Sequence, residues 1–353
     1  MMRMEKRSAC SWQVSLTVSF CSIAAALAVS AVFLKCMGIA PAEAFYEMAF
    51  SAFGDGYGLS ETLTKAIPLV ISAVALILCY RMLVWNIGAE GQIMAGALAA
   101  TAMVRWFPSD SAFVMLALMI LAAILAGAFW ALISGFMRAR WNVNEIITTL
   151  MLNYIAVNLK NFFVYGPWRD PTALGFPMTA PFPGSAILSE IGFGRVYSAV
   201  WLIIAFPILA WWILSYTRWG YEIRVVGENP RAARFAGIND MKNLLLVMLV
   251  SGGLCGLCGF VEMAGIQHRL QAGYSTAYGF TAVIVAWLSN LNPLLTPFVA
   301  MLMGGLLVGG ESLQIVMGLP VAGVQIIQGF ILLFVIAGEF FKRYRMVLRR
   351  EAR

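Results

Sequence analysis

The chain is built from apolar runs about as long as a lipid bilayer is thick. A crossing helix needs about 20 apolar residues, and a shorter segment survives at depth only where other protein shields it. Clear runs occupy 13–34, 62–84, 112–136, 196–216, 243–265 and 322–341, with shorter or Gly-interrupted runs at 88–104, 145–164, 276–290 and 294–312. Only 12% of the 353 residues are charged and 61% are hydrophobic, whereas soluble domains carry roughly 25% charge. The expected fold is therefore an all-α polytopic membrane protein of about ten transmembrane helices, with residues 1–353 forming a single membrane domain. The first run follows Arg3, Lys6 and Arg7. At about 22 residues it exceeds the usual 7–15-residue core of a signal peptide, so it reads as an uncleaved span.

The net charge of +7 does not demand a nucleic-acid partner, because basic residues of membrane proteins collect in cytoplasmic loops. With the N-terminus inside and ten crossings, seventeen of the 24 Lys and Arg residues fall on the cytoplasmic side. Both termini are then cytoplasmic. Residues 41–61 mix aromatics with acids and read as an amphipathic helix on the outer face, and the Pro/Gly-rich stretch 166–195 reads as an outer loop or cap. The six cysteines lie mostly in apolar sequence, and "CGLC" at 255–258 reads as small residues that let helices approach. A lone histidine, His268, finds no partners for a metal site.

If the first span is peripheral, spans 2–5 and 7–10 form two halves of opposite topology. The second span of each half is the odd one, 88–104 after "NIGAEG" and 276–290 before "SNLNP". Paired short helices in inverted halves point to a transport pathway. Glu90 lies in this weak region, and an ionised Glu in hydrocarbon costs about 2.5–3.5 kcal/mol on insertion scales. Asn86 is placed to cap a helix starting at Ile87, which puts Glu90 in a first turn whose partial positive charge favours an anion. Two roles stay open for Asn86, Glu90 and Gln92: locking an interhelical turn, or lining a pathway. Residues 142–162 raise the same choice. Asn144 caps a helix opened by Glu145, Thr148 and Thr149, and Asn153, Tyr154 and Asn158 then put amides and a phenol on a span. They serve as helix glue or as a wall for a neutral, hydrogen-bonding solute. Asn290 in "SNLNP" joins this candidate pathway.

The loop 217–242, "TRWGYEIRVVGENPRAARFAGINDMK", encodes a two-turn helix from Pro230 to Ala236. Asn229 is the N-cap candidate, Pro230 fits the first helical position, and Gly237 suits the residue past the end. Ala232, Ala233 and Ala236 permit close docking, and Phe235 is a knob for an apolar pocket.

The pattern Gly227-x-Asn229-x-x-Ala232-Ala233-x-x-x-Gly237-Ile238 resembles the coupling-helix loop of ATP-binding-cassette (ABC) importer permeases. "NIGAEGQ", "NEIITTLMLNYIA" and "GFTAVIVAWLSNLNPL" resemble motifs of the branch that handles nucleosides and simple sugars, nearest its nucleoside members. The similarity runs from about 62 to 341; the first sixty residues and 166–195 carry no recognised family motif. It implies a type II importer-like ten-span fold in the plasma (inner) membrane, and a second permease, homologous or identical. It also implies cytoplasmic ABC ATPase subunits and an extracytoplasmic substrate-binding lipoprotein. No G-x-x-x-x-G-K-[ST] occurs, so the chain is expected to be no enzyme and to hold no cofactor, with ATP and Mg bound by the partner ATPase. The expected function is inward passage of a small neutral solute, a nucleoside first. An ion-coupled secondary carrier, using Glu90 or Glu262, is the alternative.

Overall fold

The computed structural model describes residues 2–6, 12–274 and 277–348. Arg7, Cys10, Arg349, Arg350 and Arg353, which entered the charge and cysteine readings, lie outside the described residues, as do Ser275 and Thr276 at the head of the 276–290 run. The regular structure of the described chain is helical apart from one antiparallel pair of strands, β1 (Met2–Lys6) and β2 (Tyr344–Leu348). The helices are α1 (Trp12–Cys36), α2 (Pro41–Phe53), α3 (Gly56–Arg81), α4 (Ala89–Trp106), α5 (Ala112–Trp141), α6 (Glu145–Tyr165) and α7 (Leu202–Tyr216). They continue with α8 (Arg218–Glu228), α9 (Pro230–Phe235), α10 (Asp240–Glu262), α11 (Tyr278–Leu288), α12 (Thr296–Val316) and α13 (Val321–Arg343).

Every apolar run carries a helix, but the ten are not ten equal spans. Among the described residues six helices are long and apolar enough to cross a membrane: α3, α5, α7, α10, α12 and α13, three of them with short flanking turns. A seventh crossing results if α1 and α2, bent by 117° at residues 37–40, are counted as one broken span. Helix α11 has only 11 residues. Thirteen of the 18 residues of α4 are buried by protein, which relieves that helix of the need for an apolar exterior. The expected amphipathic helix of 41–61 ends at Phe53, and α3 begins at Gly56, six residues before its apolar run.

The chain divides into two compact units. The larger, residues 63–304, is centred on α4, α5 and α10, with α6 against α4. Glycines let these helices touch backbone to backbone. A Cβ on Gly256 would lie 2.1 Å from the Ala123 carbonyl oxygen, one on Gly252 2.4 Å from that of Gly127, and one on Gly96 2.2 Å from that of Gly256. "CGLC" is thus a packing face, with Cys255 and Cys258 fully buried beside these contacts. The 166–195 stretch is pinned along the segment after α10: Thr179 N–H donates to Leu270 O, Phe182 N–H to His268 O and Leu188 N–H to Ala264 O, at 2.8–2.9 Å.

The smaller unit comprises residues up to 62 and from 305. There α1 packs on α13, and Leu34, Ala44, Leu313, Leu319, Val324 and Ile327 form its apolar core. Glu47 on α2 accepts a hydrogen bond from Ser312 Oγ on α12 at 2.6 Å.

Candidate functional site

The polar centre of the larger unit lies where the loop after α3 turns into α4. Asn86 is not the cap of a helix beginning at Ile87; α4 starts two residues later, at Ala89. The Asn86 Oδ1 instead takes the Gly88 N–H (3.0 Å), an Asx turn that holds the chain out of the helix for those two residues. The same oxygen accepts from Gln92 Nε2 (3.0 Å), while Asn86 Nδ2 lies 3.2 Å from both Gln92 Oε1 and Ser251 Oγ on α10. The Asn86 backbone oxygen accepts from Tyr80 Oη at 3.1 Å.

Helix α6 closes this turn from the other side. Asn153 Oδ1 accepts the first-turn N–H of Gly91 (2.8 Å), and its Nδ2 donates to Ile87 O (2.9 Å). Thr149 Oγ1 accepts the Ile87 N–H at 3.3 Å, and Glu145 accepts the Trp85 N–H at 3.1 Å while pairing with Arg138. Helix α6 thereby supplies the caps that α4 lacks in its own sequence. Gly91 is required because a Cβ there would lie 2.8 Å from Asn153 Oδ1. Asn144 caps α6 as expected, accepting the Ile146 N–H at 2.9 Å.

Glu90, 2% exposed, sits in the first turn of α4, and its Oε2 accepts the Gly279 N–H of α11 at 2.9 Å. Gly279 is in the first turn of α11. One carboxylate therefore lies at two helix N-termini, each carrying about half a positive charge. A Cβ on Gly279 would fall 2.2 Å from Glu90 N, so the two helices meet without a side chain between them. The two odd helices of the sequence touch at their starting turns.

These contacts bear on the two roles left open for the candidate pathway residues. The side chains of Asn86, Gln92 and Asn153 are buried and turned on one another and on backbone, so the turn-locking role accounts for them. Tyr154 and Asn158 do the opposite. Both are exposed on the outer face of α6, Tyr154 at 62%, and Asn158 Nδ2 bonds back to Tyr154 O at 2.8 Å. Among the described residues they join no second helix by a hydrogen bond. Asn290 is exposed in a left-handed turn (φ 52°) with Leu291 (φ 54°) after α11.

Sequence reading missed three participants. Ser251 and Gly279 lie in apolar helices with no local sign of their distant partners. Lys160 is buried on α6, where its Nζ donates to Ala272 O and Tyr274 O at 2.6 Å each. A buried ammonium on a span marks such a partner by its cost alone.

The 217–242 loop holds two helices where one was expected. Helix α8 is opened by Thr217, whose Oγ1 accepts the Gly220 N–H at 3.1 Å, and it buries Ile223 and Val226. Gly227 permits close passage along the end of α3: a Cβ there would be 2.1 Å from Arg81 O. In α9, Asn229 Oδ1 accepts from the Arg231 and Ala232 N–H groups, both at 3.1 Å. The helix stops at Phe235, one residue short of the expectation. Gly237 at φ 78° ends it, with Gly237 N–H donating to Arg234 O and Ile238 N–H to Ala233 O, a Schellman closure. Ala233 is buried, Ala232 faces out, and Phe235 stands 95% exposed.

The sequence matches the family described as "Branched-chain amino acid transport system / permease component" over residues 58–336. The chain belongs to this permease family. It is 37% identical to the glucose ABC transporter permease protein of Haloferax volcanii, over 94% of this chain and 90% of that one. It is 30% identical to the guanosine ABC transporter permease protein of Bacillus subtilis (91% and 92%) and 29% to a nucleoside ABC transporter permease protein of Lactococcus lactis (86% of each). The permease is therefore the membrane component of an ABC transporter, working with ATPase and substrate-binding partners, and ATP hydrolysis belongs to a separate subunit. The family match includes 166–195 and begins just before residue 62.

Proposed function

We propose that this permease imports a neutral, ring-bearing solute, with nucleosides the first choice. The observation that carries the reading is the Tyr154–Asn158 pair. An amide and a phenol, one turn apart, lie on a face of α6 otherwise made of Ile147, Met151, Ile155 and Phe162. An amide facing hydrocarbon wants a partner, and among the described residues the one found is its own helix backbone. A second permease, identical or homologous, placed against this face would enclose a passage with hydrogen-bonding and aromatic groups suited to a base or a sugar. The relatives named for guanosine and nucleosides support the first choice, and the relative named for glucose supports a sugar as the second reading. Competition decides between them: uptake in cells is challenged with nucleosides, glucose, pentoses and branched-chain amino acids. Nucleosides are expected to inhibit most strongly; inhibition by amino acids alone would overturn the proposal.

Energy enters through α9. The exposed Phe235 on a helix capped at both ends is a rigid prong for an apolar pocket of the cytoplasmic ATPase, which holds the ATP and Mg. The excess of basic residues on that side supports inward placement of α9 and both termini in the plasma (inner) membrane. Phe235→Asp is expected to leave membrane insertion intact and to uncouple transport, because an unpaired carboxylate buried in such a pocket costs several kcal/mol. Co-purification of the ATPase and ATP-dependent uptake measure it. A variant that binds its ATPase with unchanged affinity and transports normally removes α9 from this role.

A further inference from the structure

Helix α9 rests lightly on the larger unit. Of its six residues Ala233 alone is buried. One end shares Asn229 with α8, which stops there. The other end runs through Gly237, at φ 78° and with nothing within 4 Å of where a Cβ would stand, to Asn239, the cap of α10. Behind α9 lies a cavity of about 460 Å³, bordered by Pro230 and Arg234 of α9, Leu83 and Val84 after α3, Arg138 of α5 and Leu244 of α10. Open space does not pass on a push as close packing does, so a load on α9 has to travel through its bonded contacts.

One such contact spans the swivel at Gly237. The Arg234 guanidinium donates to a single Asp240 oxygen, Oδ2, from Nε at 3.0 Å and from Nη2 at 2.6 Å. Asp240 is the first residue of α10, so the pair runs directly from the end of α9 to the start of α10. Two donors on one rigid plane fix direction as well as distance. Both side chains face solvent, at 68% and 32% exposure, and pairs so placed add little to stability. The effect of this one is geometric: α9 and α10 turn together. A second tie lies beside it, where the buried Asn243 of α10 donates to Glu222 of α8 at 2.8 Å. Helix α10 is well placed to carry movement onward. Its 23 residues span about 34 Å. On the way Ser251 meets the Asn86 turn and Gly256 meets the backbones of α5 and α4; just past the end, Ala264 O holds the Leu188 N–H. We infer that Arg234 and Asp240 form a strut that passes displacement of α9 into α10. The role rests on α9 docking the ATPase, and it makes α10 the helix that receives the movement.

The test uses the intact permease–ATPase complex in lipid nanodiscs. A fluorescent amino acid replaces the exposed Ile191, in the stretch bonded to the far end of α10. Emission is compared without nucleotide and after trapping with ATP, Mg and vanadate. A clear change is expected in the parent complex. Arg234→Ala and Asp240→Ala are each expected to reduce it severalfold while the ATPase stays bound. The double variant is expected to be no worse than either, because partners in one contact are not additive. A parent complex without a change overturns the strut, and so does an undiminished change in either single variant. Additive losses overturn it too, since the two residues then act separately. An Arg234→Ala permease that sheds its ATPase assigns Arg234 to the docking surface instead. Should an alanine variant fold poorly, Arg234→Lys keeps the charge and loses the fork; an intermediate change is expected, and one equal to the parent's overturns the strut. Phe235→Asp tests the underlying role of α9: if it keeps both the ATPase and the full change, α9 is not the docking helix. If Phe235→Asp abolishes the change and the alanine variants do not, docking stands and the strut alone falls.

Discussion

Replacing Gly256 with Ala is expected to remove most of the folded permease from the membrane. The added methyl would lie 2.1 Å from the Ala123 carbonyl oxygen and 3.0 Å from Gly127 Cα. Both are backbone atoms, so α5 itself has to move away from α10, and α4 with it, since Gly96 approaches the Gly256 carbonyl from the other side. Overpacking a tight core costs about 1–3 kcal/mol and more when backbone must shift, and each 1.4 kcal/mol is a factor of about ten in the folding equilibrium. Gly253→Ala is the control. Its methyl would meet the Ile124 Cγ2 at 3.3 Å, the end of a side chain that can adjust, so near-normal yield is expected. Membrane abundance and monodispersity after detergent extraction measure both. Equal loss in the two variants would show that helix propensity, not the crossing, governs this face.

Glu90 gives the second large effect, and its two substitutions part company. Glu90→Leu strands the buried Gly279 N–H, at about 1–3 kcal/mol, and removes the anion from both helix N-termini, at about 0.3–1 kcal/mol for each. Poor folding or lost transport is expected. Glu90→Gln keeps an oxygen for Gly279 and loses only the charge, so substantial uptake is expected to remain. A proton-coupled carrier demands the reverse, with Gln as inactive as Leu. Uptake normalised to membrane abundance distinguishes them, and a well-expressed, inactive Gln variant would refute the structural role of this carboxylate.

What could be read in the sequence follows the range of the interactions. Local chemistry was legible: the Asn229–Pro230 start and Gly237 end of α9, the Asn144 cap of α6 and the glycine face of "CGLC" all act within a few residues or on any neighbour of suitable shape. The position of Glu90 in a first turn was legible for the same reason. Its partner was not, because Gly279 is 189 residues away. The Asn86 cap was misplaced because two rules compete for an Asn before Gly: it can start a helix or fold an Asx turn, and Gln92 and Ser251, reachable only in the folded state, decide for the turn. The count of ten spans is not matched helix for helix, for a related reason. An apolar run records that a segment avoids water, but α4 is sheltered by protein and α11 is too short to cross, and sequence apolarity does not separate those cases. Helix α8 went unseen because its buried residues, Ile223 and Val226, are few and its remaining faces are charged.

The shared carboxylate has a kinematic consequence. Helices α4 and α11 are tied at their starting turns by one hydrogen bond to an anion that neither end can release into hydrocarbon cheaply. Sliding one past the other exposes the carboxylate, whereas rotation about the shared point keeps the bond. The chain on either side of α11 passes through left-handed residues, Ala277 before it and Asn290 and Leu291 after it, where small dihedral changes redirect an 11-residue rod as a unit. Glu90 thus fixes a point common to the first turns of α4 and α11, whatever values the dihedrals on either side of α11 adopt.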